Sequence, residues 1–295
     1  MGTENFKEQF DYWRKAVEEE MQRLVPSALE APVSLHAAMR HSLEAGGKRL
    51  RPVLVCSVAE TFSEHSSPLP AAVAVECLHT YTLIHDDLPA MDNSDLRRGQ
   101  PTCHKAFGEA AAILAGDALL TLAFEILATS YADKPDLCVS LISELAKASG
   151  SLKLVGGQMD DIENENKLID AATLRSINQK KTGALISASC VLGALIGGAS
   201  KADVEIIRDF GGYMGEAFQL VDDILDHSGS EEETGKSAGL DEANNKATLV
   251  SLEGLEQAKS KVIQLTNTAK GVLQDSKGDT VFLESLVDWL ANRTT

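Results

Sequence analysis

The chain has 295 residues, 44 % of them hydrophobic but only 5 % aromatic, and a formal net charge of −17. That is long for one domain, yet within reach of a helical enzyme whose single core is packed with Ala, Leu, Ile and Val. So acidic a chain is a poor partner for a phosphate backbone, which excludes general nucleic-acid binding.

Apolar residues recur at helical spacing almost throughout, and strict alternation is rare. In chain order the pattern predicts helices at about 4–24, 32–45, 51–64, 69–88, 108–131, 135–149, 150–164, 171–199, 202–229, 246–274 and 279–292. Pro32 and Pro52 sit where a first helical turn tolerates proline, and Gly46 and Gly47 read as a helix stop. Asn93–Thr102 reads as a polar, basic loop, and Ser228–Asn245, with Gly229, Gly235 and Gly239, as a second. With no Pro- or Ser-rich linker, residues 1–295 are expected to form one domain. The run Gly183–Ser200 has 18 residues without a charge, which touches the length of a membrane span. Its Ser, Gly and Ala content favours a helix at the centre of a bundle instead, no second such stretch is read, and no membrane span is expected.

Cys56, Cys77, Cys103, Cys138 and Cys190 form no CxxC pair and are odd in number, which suits reduced thiols in the cytoplasm. Met1–Trp13 is charged and lacks an apolar stretch, so no signal peptide is expected there. Phe6 stands where a myristoylation signal wants Ser or Thr.

Two aspartate clusters carry the chemistry. Asp86-Asp87-Leu-Pro-Ala-Met-Asp92 lies at the end of an apolar helix, where the partial negative charge of the C-terminus makes extra carboxylates unfavourable without a cation. Asp222-Asp223-Ile-Leu-Asp226 lies inside another helix; Asp222 and Asp226 share a face, and like charges at that spacing repel. Either cluster alone reads as a solvated acidic helix end. Together, and free of His or Cys, they suit a hard cation such as Mg²⁺. Two facing clusters would hold one diphosphate through bridging ions and make it a leaving group. In a continuous helix Asp86 and Asp92 would lie about 240° apart. Pro89 disfavours helix at Leu88, so the chain is expected to turn Asp92 back toward Asp86.

The basic counterparts are Gly46-Gly47-Lys48-Arg49-Leu50-Arg51-Pro52 and Asp95-Leu96-Arg97-Arg98-Gly99. Arg offers a fork matched to phosphate and Lys a point charge, although each string alone reads equally as surface. His79, seven residues before Asp86, shares its helix face, as a ligand or as a core histidine. Lys180-Lys181-Thr182 opens the uncharged helix, which would fit a substrate with a charged head and a greasy tail. Gln219 could donate to a phosphate oxygen; Lys236 and Lys246 could close over the site or simply be solvated.

These strings, with Glu76–Asp92, Leu114-Ala-Gly-Asp-Ala118, Gly156-Gly-Gln158, Lys181-Thr-Gly-Ala-Leu185 and Phe218–Asp226, occur in an order that resembles the short-chain trans-prenyl diphosphate synthases. This is the farnesyl and geranylgeranyl diphosphate synthase group, and the four residues between Asp87 and Asp92 resemble its bacterial and plant form. The resemblance spans roughly residues 40–250. It implies an all-α, antiparallel helical bundle around a deep central cavity, a cytoplasmic homodimer, and Mg²⁺ as cofactor, about three ions with substrate bound, with Mn²⁺ able to substitute.

Carried over position by position, Asp86, Asp92 and Asp222 would hold the metal with Asp87, Asp223 and Asp226 close by. Arg97, Lys181, Thr182, Gln219, Lys236 and Lys246 would grip the allylic diphosphate. Lys48, Arg51, His79 and Arg98, with the Gly47 backbone, would bind isopentenyl diphosphate, and Phe218 would lie against its isopentenyl group. Asp161 would hold a metal-bound water. The implied reaction is ionisation of the allylic diphosphate, attack by the isopentenyl double bond and loss of a proton, with no side-chain nucleophile. Asp86, Asp92, Arg97, Lys181, Asp222 and Lys236 are the residues that chemistry depends on. Tyr81, five positions before the first aspartate, would floor the cavity beside Thr82, favouring farnesyl diphosphate over the geranylgeranyl or geranyl products.

A terpene cyclase shares the first motif, but its second mixes Asn, Ser and Glu, and it has no use for the isopentenyl cations. A di-iron bundle needs two Glu-x-x-His pairs, and only Glu76 to His79 supplies one. A non-catalytic regulatory subunit generally lacks one of the aspartate clusters, and this chain keeps both.

Overall fold

The computed structural model describes residues 3–62, 66–228 and 248–292. The apolar runs in them become α1 (Thr3–Leu24), α2 (Val33–Glu44), α3 (Leu50–Thr61), α4 (Leu69–Asp86), α5 (Cys103–Phe107), α6 (Glu109–Ser130) and α7 (Pro135–Ser149). Next come α8 (Leu154–Asn164), α9 (Ala171–Asn178), a π-helical turn (Gln179–Gly183), α10 (Ala184–Ile196) and α11 (Lys201–Ser228). From residue 248 on follow α12 (Leu249–Glu253), α13 (Leu255–Leu273) and α14 (Val281–Ala291). The architecture is an all-α helical bundle, and its only described strands are β1 (Leu96–Arg97) and β2 (Gln100–Pro101).

Helices α3, α4 and α10 are apolar on nearly every side, which places them inside the bundle. α4 packs on α6, α3 and α1, while α10 is enclosed by α3, α7 and α11. One apolar cluster gathers around α4, α6 and α7, and a second around α11, α13 and α14. Trp13 and Leu195 border both.

Several boundaries differ from those the periodicity predicts. The 246–274 helix is two helices, because Gly254 takes φ 91°, closing α12 and opening α13. Gly108, at φ 86°, likewise divides α6 from α5, a short helix the pattern does not announce. The residues before α8 form a turn, with Lys153 N–H donating to Gly150 at 3.0 Å. The predicted 171–199 helix contains the π-turn, and the basic loop contains a hairpin in which Arg97 faces Gln100. Arg98 and Gly99, both at positive φ, make its tight two-residue turn.

The reading of one long apolar stretch needs correction. Among the described residues it is Glu109–Ser130, not Gly183–Ser200, that is long and apolar enough to cross a membrane, with 39 % of its most apolar part buried. Ile113 and Leu114 are exposed on its outer face. The stretch beginning at Gly183 is the buried α10, as its small residues suggested.

The placement of α11 depends on one close approach. A Cβ at Gly215 would lie 2.8 Å from the Gly183 Cα, so α11 rests backbone to backbone against the end of the π-turn. Gly215→Ala should therefore destabilise the fold by about 1–3 kcal/mol through overpacking, read as a lower midpoint in thermal unfolding. An unchanged midpoint would show that this contact has slack.

Candidate functional site

At the end of α4 the chain leaves the helix at Asp87 and doubles back before Pro89 can be accommodated. Asp92 N–H donates to the Asp86 carbonyl at 2.8 Å and Ser94 N–H to the Asp87 carbonyl at 3.2 Å. Asp86 and Asp92 are thus brought to the same end of α4. Burial, opposed by Lys181 and reinforced by Asp92, raises the Asp86 pKa above the usual carboxylate range.

Asp87 faces the other way. Nearly wholly buried, it accepts a bidentate fork from Arg97, whose Nε and Nη2 lie 2.8 Å from its two oxygens. Burial opposes the Arg97 charge, but Asp87, Asp86 and Asp92 outweigh it and raise that pKa. The hairpin β1–β2 is the element that brings Arg97 under the first motif.

The second motif divides in the same manner. Asp222 and Asp226, one turn apart, remain partly exposed on one face of α11. Asp223 is buried, accepting from Gln219 Nε2 at 2.9 Å and from Leu249 N–H at 3.2 Å, and so ties α11 to the start of α12. Thr182 Oγ1 donates to Gln219 Oε1 at 3.1 Å, which links the π-turn to α11 just before Asp222. Lys181 reaches Asp161 on α8 at 2.7 Å and also acts electrostatically on Asp86. Contacts therefore run from Thr182 through Gln219 to the second motif, while the adjacent Lys181 acts on Asp86 electrostatically.

The basic residues approach from the α2–α3 loop. Lys48 Nζ lies 3.8 Å from Asp222 and 5.8 Å from the centre of the Phe218 ring. Arg51 donates to His79 Nε2 at 3.3 Å, so that nitrogen is an acceptor and the ring is neutral. Burial, followed by Arg51 and Arg98, holds the His79 pKa well below its ordinary value. Arg98, from the hairpin turn, donates to the Gly46 carbonyl and fills the space above Gly47, where a Cβ would lie 2.5 Å from its Cζ. Lys48, Arg51, His79 and Arg98 thus form a second pole, linked to the first through Asp222.

What the arrangement can do follows from its charges. Each carboxylate motif has a cation near it, Lys48 at 3.8 Å from Asp222 and Lys181 acting electrostatically on Asp86, and the apolar Phe218 and Tyr81 are buried on the same helices. An oxygen-only donor set of this kind suits a hard divalent cation, and the cations suit phosphate oxygens.

The sequence profile of the polyprenyl synthetase family matches residues 32–282. The chain belongs to that family. It is 45 % identical to the farnesyl diphosphate synthase of Geobacillus stearothermophilus over 95 % of both chains. It is 47 % identical to geranylgeranyl pyrophosphate synthase 7, chloroplastic, of Arabidopsis thaliana, over 90 % of this chain and 78 % of that one. The apo crystal structure of an FPP/GFPP synthase from Zymomonas mobilis superposes with a TM-score of 0.86 at 35 % identity, covering 98 % of this chain and all of that one.

In this polyprenyl synthetase, Tyr81 is buried and packs edge-on to His85 with 5.6 Å between ring centres. Thr82 turns its hydroxyl to the His79 carbonyl at 2.7 Å. Lys236 and Lys246 lie outside the described residues. Two contributors were not singled out from the sequence. Arg49 and Glu76 form a buried ion pair of 2.6 Å beneath the α2–α3 loop. Glu76 is therefore not half of a metal-binding Glu-x-x-His pair; a buried acid three residues before a site histidine was the available signal. Lys180 pairs with Asp160 at 2.7 Å, parallel to Lys181 with Asp161, and clamps the π-turn on α8.

Proposed function

We propose that this chain is a trans-prenyltransferase that condenses isopentenyl diphosphate with dimethylallyl and then geranyl diphosphate to give farnesyl diphosphate. The observation that carries this is the junction at Asp222, where the second aspartate motif meets Lys48 and, through Gln219 and Thr182, the segment that bears Lys181. A diphosphate held there has carboxylates and cations on opposing sides.

The chain's own residues divide the work. Asp86, Asp92, Asp222 and Asp226 would hold Mg²⁺, which would supply charge compensation for the departing diphosphate; Asp87 and Asp223 orient their motifs from behind. Burial first, and then Asp92 and Asp87, raise the Asp86 pKa, and the part due to these two carboxylates is like-charge crowding that a divalent ion would relieve. Arg97, Lys181, Thr182, Gln219, Lys236 and Lys246 bind the allylic diphosphate and stabilise charge on the leaving oxygens. Lys48, Arg51, Arg98 and neutral His79 bind isopentenyl diphosphate, and Phe218 lies along its carbon chain. Burial of the reacting carbons among apolar side chains excludes water, so the allylic cation is met by the double bond. The proton leaves to the released diphosphate.

The twenty-carbon reading is favoured by one finding, the likeness to the Arabidopsis synthase, and Tyr81 separates the two. We further infer one domain over residues 1–295, a cytoplasmic location and a homodimer formed across the exposed apolar face of α6 around Ile113 and Leu114.

Asp222→Ala should lower kcat by about a hundredfold or more, and chelation should abolish turnover until Mg²⁺ is restored. Product chromatography with both five-carbon substrates checks this; activity that survives chelation would sink the assignment. Tyr81→Ala should lengthen the product, and an unchanged chain length would remove Tyr81 as the floor. Size-exclusion chromatography of the purified chain should give about twice the monomer mass, reverting to monomer in Ile113→Asp/Leu114→Asp. A parent chain that elutes as monomer refutes the dimer.

A further inference from the structure

The loop Gly46–Arg49 joins α2 to α3 through backbone conformations that side chains disfavour. Gly46, Gly47 and Arg49 take φ of 86°, 122° and 52°. Two glycines adopt such angles freely, but an arginine does not, so other contacts must hold it there. Arg49 Nη1 donates to Glu76 and Nη2 to the Leu43 carbonyl, each at 2.6 Å. The paired side chains are only 2 % and 1 % exposed. Glu76 sits on α4 one turn before His79, so the pair ties the loop to the same helix that presents His79 and Asp86.

The loop is gripped from both sides. Arg49 pulls it inward, while Arg98 covers Gly47 from outside and donates to the Gly46 carbonyl. Between these grips Lys48 is aimed at Asp222, and just beyond them Arg51, in the first turn of α3, is aimed at His79. Glu76 is also the buried anion facing this group of cations. Burial lowers the Arg51 and Arg98 pKa values, and Glu76 opposes that in both. Lys181, Thr182 and Gln219, by contrast, are carried by the π-turn and α11.

We propose that the Arg49–Glu76 pair is the positioning element of the isopentenyl diphosphate pole, setting the affinity for that substrate without touching it. This rests on the assignment of Lys48, Arg51, His79 and Arg98 to that substrate. Loss of the pair lets the loop relax from its left-handed conformation and turns Lys48 and Arg51 away, while the allylic pole keeps its own supports.

Removing one partner strands a buried charge, so the test uses Arg49→Met/Glu76→Leu, which replaces both, together with Arg49→Lys, which keeps the charge but gives up the fork that reaches both Glu76 and Leu43. Steady-state kinetics are measured with each substrate varied in turn, beside thermal melts. A double variant that melts cooperatively should show KM for isopentenyl diphosphate raised about tenfold, with kcat and the KM for geranyl diphosphate within about twofold of the parent. If the double variant does not melt cooperatively, Arg49→Lys decides, with a smaller rise confined to the same constant. An unchanged KM for isopentenyl diphosphate in the deciding variant, or both KM values rising together, overturns the positioning role alone. A parent chain that makes no product from these substrates overturns the condensation reading, and this role with it.

Discussion

Carboxylates gathered at the C-terminal end of a helix oppose the helix's own dipole, and the rest of this structure answers that conflict. The end of α4 carries Asp86, Asp87 and, by the turn that returns the chain, Asp92. Asp87 is neutralised internally by Arg97, which requires the hairpin to pack against the helix end. Asp86 and Asp92 share the helix end, where Lys181 opposes the charge of Asp86.

Both motifs use consecutive aspartates in the same way. The second of each pair turns into the protein, Asp87 to Arg97 and Asp223 to Gln219 and the N–H of Leu249. The first of each stays at the site, along with the last residue of the motif. A buried carboxylate with satisfied hydrogen bonds is a stiff anchor, and it fixes its exposed neighbour by the helical geometry alone. The first basic string shows the same division, since Arg49 is the buried anchor while its neighbour Lys48 stays partly exposed beside Asp222.

The π-turn contributes what a regular helix could not. One extra residue in the turn shifts the side-chain register where Lys180, Lys181 and Thr182 must reach Asp160, Asp161 and Gln219. Its end then passes against Gly215 of α11, close enough that backbones touch. Lys181 and Thr182 are thereby carried on packed helical elements, whereas Lys48 sits on a loop that needs its own fastening.

The sequence by itself determined the helical class, nearly all the long helices and the chemical types at the site, because those depend on local periodicity and on clusters of like charge that few other functions explain. It also made the bend at Pro89 legible, since proline restricts its neighbour whatever the fold. It could not divide Asp86 from Asp87 or Lys48 from Arg49, because adjacent residues differ in role only by which partner lies on each side. The short helix α5, the break at Gly254 and the π-turn were equally hidden, since a glycine or a polar residue in a periodic run is compatible with helix until packing asks otherwise. Those choices belong to the tertiary structure. Each is set by a contact between residues far apart in the chain, Glu76 with Arg49, Gly215 with Gly183, Asp223 with Leu249, and such contacts exist only once the helices have met.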